Sequence, residues 1–230
     1  QQRGERIGRR FVARVQPVLN YELDLSETVP YIGAGTVQSG GVDGTGVTVA
    51  VLDSGIDYTH RNLGGPGTKA TYDACYAQRD TAPSGDCAAL FGPSATKVVG
   101  GFDFVGETWP NGDRTEDPNP IDLEGHGTHV ADIIGGKSAD GTHKGMAPGA
   151  KLYGVKVCSA VASSCSGIGI LQGIEWALDP NGDGDISDAV DVINMSLGAS
   201  YGQREDDSSA AVANVSKFGV TVVVSAGNSA

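Results

Sequence analysis

The first residue placed where acid–base chemistry could use it is Asp53. It closes the apolar run at residues 47–53 (VTVAVLD) and is followed by Ser54-Gly55. A carboxylate at the end of an apolar strand is costly to desolvate unless it meets a charged or hydrogen-bonding partner. An Asp in this position can also be an ordinary helix N-cap, and the motif alone does not separate the two roles.

The second candidate is His126, in the segment Gly125-His126-Gly127-Thr128-His129. The flanking glycines let the backbone and a substrate approach closely at the predicted start of a helix. A neutral imidazole oriented by a buried carboxylate can act as a general base, whereas a lone histidine can also be purely structural. His126 and His129 form a His-x-x-His pair, but the residues between them include no Glu, as a zinc-peptidase motif would require.

The elements that must position these residues follow from the apolar pattern. Segments 47–53, 151–157, 190–196 and 221–227 are rich in Val and Ile and predict strands buried on both faces. Helical patterns lie at 126–134, 167–178 and 206–218; the second is expected to bury Ile168, Leu171, Ile174 and Leu178. The alternation predicts an α/β fold, an open parallel sheet with helices on both faces. Ligands of such sheets bind beyond the carboxyl ends of the strands, where Asp53 lies.

The segment 63–124 has no clear period and is rich in Gly, Pro, Asp and Asn. This composition predicts an ordered surface insertion made of turns. The acidic run at 113–124 within it is expected to be mostly a solvated loop.

Composition excludes some function classes. The net charge is −12, which disfavours a nucleic-acid partner because phosphate binding needs clustered basic side chains. No apolar run approaches the about 18 residues of a membrane span. Residues 1–20 carry five Arg and one Glu, a net +4, so residues 21–230 carry −16. This shift predicts a boundary near residue 20.

The four cysteines fall into two local pairs, Cys75 with Cys87 and Cys158 with Cys165. Neither pair has the Cys-x-x-Cys spacing of zinc and redox sites. Three disulfide pairings can be drawn, and the local one closes small loops at the least geometric cost. We predict the local pairing, with free buried thiols as the alternative.

One acidic segment begins like a calcium loop. Oxygen-bearing side chains alternate along it, with Gly at the sixth position; the predicted ligands are Asp179, Asn181, Asp183, Asp185 and Asp188. Val190 stands at the twelfth position, where such loops carry a bidentate Glu. We predict structural Ca²⁺ here, and a solvated acidic turn is the alternative.

The sequence resembles the subtilases, in particular the larger secreted members with an insertion between the Asp and His motifs. The motifs that carry the resemblance are Asp53-Ser54-Gly55-Ile56-Asp57, Gly125-His126-Gly127-Thr128-His129-Val130, Asn194-Met195-Ser196-Leu197-Gly198 and Ala226-Gly227-Asn228. They occur in the family's order over residues 44–230. The related sedolisins use Glu in place of the histidine and Asp as the oxyanion group, so His126 and Asn228 argue against that class.

The resemblance implies a role for each motif. Asp53 would orient the imidazole of His126, which would take the proton of a serine nucleophile, and the Asn228 amide would stabilise the oxyanion. An extended polypeptide substrate would lie between two backbone segments. The residues implied for these segments are Ser164, Ser166 and Gly167 on one side, and Ser196, Leu197 and Gly198 on the other.

The family's nucleophile lies in a Gly-Thr-Ser motif downstream of the asparagine. None of the five Gly-Thr pairs of this sequence precedes Ser. The resemblance therefore implies the N-terminal part of a serine endopeptidase, and we expect these 230 residues alone to be inactive. The alternative is a catalytically inactive homologue that binds peptides.

The resemblance also suggests how the chain is divided. Residues 1–25 resemble the tail of an inhibitory propeptide with its maturation junction, and 26–230 part of the catalytic domain, with 63–124 as its insertion. An ordinary N-terminal extension is the alternative for the first segment. A propeptide acting as intramolecular inhibitor and an extracellular location follow as expectations.

Overall fold

A computed structural model describes residues 6–7, 10–11, 29–199 and 207–227. Its centre is a sheet of five parallel strands in the spatial order β4-β5-β3-β6-β7. The strands are β3 (Thr48–Asp53), β4 (Val98–Asp103), β5 (Lys151–Lys156), β6 (Val192–Met195) and β7 (Thr221–Val224). Two-residue strands β1 (Arg6–Ile7) and β2 (Arg10–Phe11) pair antiparallel by themselves.

The helices lie between the strands, as the alternating pattern predicts. They are α1 (Ala34–Ser39), α2 (Lys69–Tyr76), α3 (Asp86–Leu90), α4 (His126–Gly135), α5 (Gly167–Trp176) and α6 (Asp207–Val215). Short 3₁₀ turns occupy Arg61–Leu63, Ile186–Asp188 and Ser216–Phe218. No helix among these described residues is long and apolar enough to cross a bilayer.

The central strand β3 divides the core into two layers. Val49 and Val51 pack in a cluster that also holds Val130 of α4, while Leu52 packs on the other face with Ile174 of α5. Because successive side chains of a strand point to opposite faces, one apolar strand serves both layers. The predicted open parallel sheet with helices on both faces is confirmed.

The buried face of α5 differs from the prediction. Ile168 is 62% exposed, whereas Gly169, Gly173 and Ile174 face the core. A Cβ on Gly173 would lie 2.9 Å from a methyl group of Val155, so the helix packs closer than a larger residue permits. The apolar pattern correctly placed Ile174 in the core. It did not predict that glycines would form the rest of the buried face.

Segment 63–124 is more regular than its composition indicates. It contains α2 and α3, joined by the disulfide Cys75–Cys87, and β4, an edge strand of the main sheet. The acidic run within it is only partly solvated: Asp113, Glu116 and Glu124 are exposed, whereas Asp117 is 7% and Asp122 3% exposed. The predicted domain division at residue 25 lies outside the described residues and stays a prediction.

Candidate active site

The two candidate residues meet at the carboxyl edge of the sheet. Asp53 ends β3 and His126 begins α4, and His126 Nδ1 lies 2.7 Å from Asp53 Oδ1. The same Asp53 oxygen accepts a hydrogen bond from the Ser54 N–H at 2.8 Å. The Asp53 side chain is 2% exposed and the His126 side chain 53% exposed, so a buried carboxylate holds an accessible imidazole.

Glycines allow this approach, as the sequence predicted. Gly125, just before α4, has a φ of 103°, a left-handed conformation that favours glycine. A Cβ on Gly127 would collide with the carbonyl oxygen of Gly55 and lie 3.1 Å from the Cβ of Asp53. Any larger residue at 127 would therefore push the first turn of α4 away from the end of β3.

The electrostatics of the pair favour a basic imidazole. The hydrogen bond to Asp53 raises the pKa of His126 above its ordinary value, burial opposes this rise, and the charges of Glu124 and Asp122 add to it. Burial raises the pKa of Asp53, while the hydrogen bonds from His126 and Ser54 act in the opposite direction. The contact thus stabilises the protonated imidazole that a general base forms when it accepts a proton.

The pair opens into a groove with a volume of about 890 Å³. Besides Asp53 and His126, its lining includes five of the predicted substrate-binding residues: Ser164, Gly167, Ser196, Leu197 and Gly198. A Cβ on Gly167 or Gly198 would meet no atom within 4 Å, so both glycines border open space. The structure therefore brings the two predicted backbone segments to the same groove as the Asp–His pair.

Ser166 does not line this groove. It is 5% exposed and is the N-cap of α5, where its hydroxyl accepts a hydrogen bond from the Gly169 N–H at 3.2 Å. Serine is among the preferred N-cap residues, and this bond accounts for its burial.

The loop that carries Ser164 is closed by the disulfide Cys158–Cys165, and the structure contains no free cysteine among the described residues. Both predicted pairings are thus confirmed. Ser159 Oγ, within this loop, accepts the N–H groups of Val161 and Ala162 at 3.0 Å and donates to the carbonyl of Trp109 at 2.5 Å. The hydroxyl therefore ties this side of the groove to segment 63–124.

A buried ion cluster supports the same side of the groove. Lys156, the last residue of β5, is fully buried and pairs with Asp103, the last residue of β4, at 2.9 Å, and with Glu107. Charges at such depth persist only when they are paired. The cluster joins two strand ends to the chain segment that contains Trp109.

The sequence interpretation missed two residues of the site. Glu124 lines the groove beside His126, and its carboxylate accepts a hydrogen bond from the backbone N–H of His126 at 2.8 Å. Asp122 lies buried behind the pair. Acidic residues just before a helix start are a recognised N-terminal signal, which could have singled out both from the acidic run.

Asn228 lies outside the described residues, so its position stays a prediction; Gly227 before it has a φ of 87°. His143 is not among the candidate site residues. Its Nε2 lies 3.0 Å from the Asp132 carboxylate, and neither residue lines the groove.

The predicted calcium loop has oxygen donors suited to a hard cation. In the structure these oxygens accept backbone N–H groups: Asp179 binds those of Gly182, Asp183 and Gly184, and Asp188 Oδ2 binds that of Asn181 at 3.2 Å. Asp188 Oδ1 is buried and has no hydrogen-bond partner. No group of three or more His, Cys, Asp or Glu side chains arranged to hold a metal is found in the described part of the chain. The donor chemistry fits calcium, and the site stays a prediction.

The comparisons with known proteins match this geometry. The family model described as "Subtilase family" matches residues 44–230. The chain belongs to the subtilase family. It is 34% identical over 212 residues to alkaline elastase YaB of Bacillus sp. (strain YaB), covering 90% of this chain and 42% of that protein. It is 32% identical over 209 residues to subtilisin DY of Bacillus licheniformis, a match that covers 89% of this chain and 57% of that protein.

The fold comparison agrees. A crystal structure of MycP1 with its N-terminal propeptide removed is similar to the chain at a TM-score of 0.52 and 26% identity, covering 88% of this chain and 49% of that one. The chain spans about half of the length of these relatives. Subtilases are serine proteases, so the family supports proteolytic chemistry in general.

Proposed function

We propose that the complete protein is a serine endopeptidase that cleaves extended polypeptides through an acyl-enzyme. The observation that carries this proposal is the 2.7 Å hydrogen bond between the accessible His126 ring and the buried Asp53 carboxylate, at the wall of an open groove. The nucleophile would be a serine of a Gly-Thr-Ser motif in the complete protein, a tripeptide that these 230 residues do not contain.

In this mechanism Asp53 fixes the ring orientation and tautomer of His126 through Nδ1. The imidazole takes the serine proton as the hydroxyl attacks the scissile carbonyl, and later returns it to the leaving amine. The Asn228 amide would bind the oxyanion of the tetrahedral intermediate. An inactive homologue would keep the groove but lack this proton transfer.

The substrate would bind as an added strand between the two sides of the groove. Ser196–Gly198 continue β6 beyond its last paired residue, Met195, and Ser164 and Gly167 lie opposite in the same groove. Backbone hydrogen bonds give affinity in this binding mode whatever the substrate side chains are. We further propose that the enzyme is extracellular and that residues 1–25 end an inhibitory propeptide.

The test uses the complete protein with a fluorescent casein substrate and a fluorophosphonate probe that labels activated serines. We expect hydrolysis, and labelling that a peptide substrate protects against. Peptide binding without hydrolysis or labelling would instead identify an inactive homologue.

The pH dependence follows from the pKa of His126, which its hydrogen bond to Asp53 raises. Only the neutral imidazole accepts a proton, so activity is present above this pKa and is lost as the pH falls through it. We expect the acid limb of kcat/KM to have its midpoint above about 6.5, the ordinary histidine value. A midpoint below that value would contradict the role assigned to Asp53.

We propose that the loop of Asp179, Asn181, Asp183, Asp185 and Asp188 binds a structural Ca²⁺. Chelation should lower the melting temperature of the complete protein, because a ligand that binds only the folded state stabilises it. Asp183→Ala should remove most of this sensitivity, and Asp113→Ala, which removes an exposed loop carboxylate, should leave it intact. Identical melting curves with and without chelator would reject the site.

A further inference from the structure

Asp122 is a buried carboxylate whose oxygens are both fully engaged near the Asp–His pair. The residue is 3% exposed. Oδ1 accepts hydrogen bonds from the Ser54 hydroxyl and from the N–H groups of Glu124 and Gly125, all at 3.0 Å. Oδ2 accepts the Thr128 N–H at 3.0 Å and the Thr128 hydroxyl at 2.6 Å. A carboxylate that only caps a helix accepts one or two N–H groups, whereas Asp122 accepts five hydrogen bonds.

These bonds join the segment after Asp53 to the first turn of α4. Ser54, next to Asp53, donates to Asp122 and accepts the Gly127 N–H at 2.9 Å. Asp122 itself binds the Thr128 N–H. The N–H groups of Gly127 and Thr128 at the start of α4 are thus satisfied by the side chains of Ser54 and Asp122, which are bonded to each other.

A second link runs through Thr128. Its hydroxyl donates to Asp122 and accepts the Asp57 N–H at 2.9 Å. The segment 54–57 and the start of α4 are therefore linked to the same carboxylate, directly through Ser54 and Thr128 and indirectly through Asp57 and Gly127. A shift of either segment would break at least two of these bonds.

We propose that Asp122 is a positioning residue that holds Asp53 and His126 in hydrogen-bonding register. It does not itself line the groove and makes no hydrogen bond to His126 among the described residues, so it acts through Ser54, Gly125 and Thr128. For its effect on turnover this inference rests on the proposed function, but its effect on the Asp–His pair does not.

The titration of His126 gives a readout besides turnover, and Ser54→Ala, which removes no charge, separates positioning from the electrostatic effect of the Asp122 carboxylate. Three carboxylates raise the pKa of His126: Asp53, which bonds it directly, Glu124, and Asp122 behind them. Asp122→Asn removes one charge and puts an amide among backbone N–H donors. The pKa of His126 should therefore fall.

The experiment compares three variants of the complete protein. Asp122→Asn and Ser54→Ala should each lower kcat by about 10²-fold with KM within about twofold, because small misplacements of reacting groups have effects of this size. Asp132→Asn is the matched control on the same helix: its carboxylate pairs with His143 at the other end of α4, and kcat should not change. The pKa of His126 is measured by NMR titration, together with the downfield signal of its Nδ1 proton.

Asp122→Asn should lower the His126 pKa, and both test variants should weaken the Nδ1 proton signal. Unchanged kcat and unchanged His126 titration in folded Asp122→Asn would overturn the proposal. If that variant does not fold, Ser54→Ala decides alone, since it deletes only the hydroxyl between Asp122 and Gly127. Absence of hydrolysis by the unsubstituted protein would reject the proposed function, while the NMR titration would still test the positioning role.

Discussion

Replacing His126 by alanine in the complete protein is expected to lower kcat by about 10⁴–10⁶-fold, the size of loss known for triad residues in subtilisins themselves. The substitution removes the only accessible base hydrogen-bonded to a buried carboxylate in the described groove. Asp53→Asn should have a smaller effect, because the ring remains but its tautomer and orientation are no longer fixed. KM should change little in either variant, since neither side chain belongs to the proposed substrate-binding backbone.

The chain supplies a matched control for this prediction. His143 also pairs with a carboxylate, Asp132, at 3.0 Å, but does not line the groove. His143→Ala should therefore leave kcat within about twofold while removing the same kind of contact. Hydrolysis rates are measured with the fluorescent casein substrate, after circular dichroism has shown that both variants are folded. If His126→Ala kept most of the turnover, the proposed mechanism would be wrong.

The sequence predicted four strands of the sheet because their segments are rich in apolar residues. The predicted burial on both faces is wrong for β7, in which Val223 and Val224 are each 50% exposed. β3, β5, β6 and β7 all lie within the predicted segments. β4 (VVGGFD) was not predicted, because Gly100 and Gly101 interrupt the apolar pattern of a strand and are typical of a turn. The structure gives a reason for one of them: a Cβ on Gly101 would collide with the carbonyl oxygen of Gly154 on β5. Glycine is therefore required at position 101 by the close contact between β4 and β5, and a single sequence does not show such a contact.

The acidic run shows a second limit of sequence reasoning. Charged residues are mostly exposed, so a solvated loop was the reasonable expectation. Asp117 is instead buried, and burial raises its pKa to about 7. Asp122 is buried because its partners Ser54 and Thr128 come from two other elements. Local composition cannot reveal partners that only the folded chain brings together.

Candidate residues were easier to predict than their surroundings. Asp53 and His126 are separated by 73 positions, and the motifs identified both once their resemblance to the subtilases was taken together. The resemblance implied Ser166 as a substrate-binding residue together with Ser164 and Gly167, whereas its hydroxyl caps α5. A motif match identifies a segment, and only the hydrogen bonds separate the residues that face a substrate from those that hold the segment in place.

Asn228→Ala in the complete protein should lower kcat by about 10²–10³-fold, or about 3–4 kcal/mol of transition-state stabilisation, a magnitude that also comes from subtilisins. The proposed role of the amide is to donate to an oxyanion that exists only in the tetrahedral intermediate. An interaction present only then changes kcat and leaves KM nearly unaltered. Folding and peptide binding should therefore remain close to those of the unsubstituted protein.

The control for Asn228 is Asn214, an exposed residue at the end of α6 whose side chain contacts Lys217 at 2.9 Å. Asn214→Ala removes the same amide and should leave kcat unchanged. Both variants are compared in steady-state hydrolysis and in equilibrium binding of a non-cleavable peptide. A rise in KM with unchanged kcat would mean that Asn228 binds the ground state, and its assignment to the oxyanion would fall. A lower kcat with intact peptide binding separates an enzyme from a peptide-binding homologue, because a protein without turnover has no transition state for the amide to stabilise.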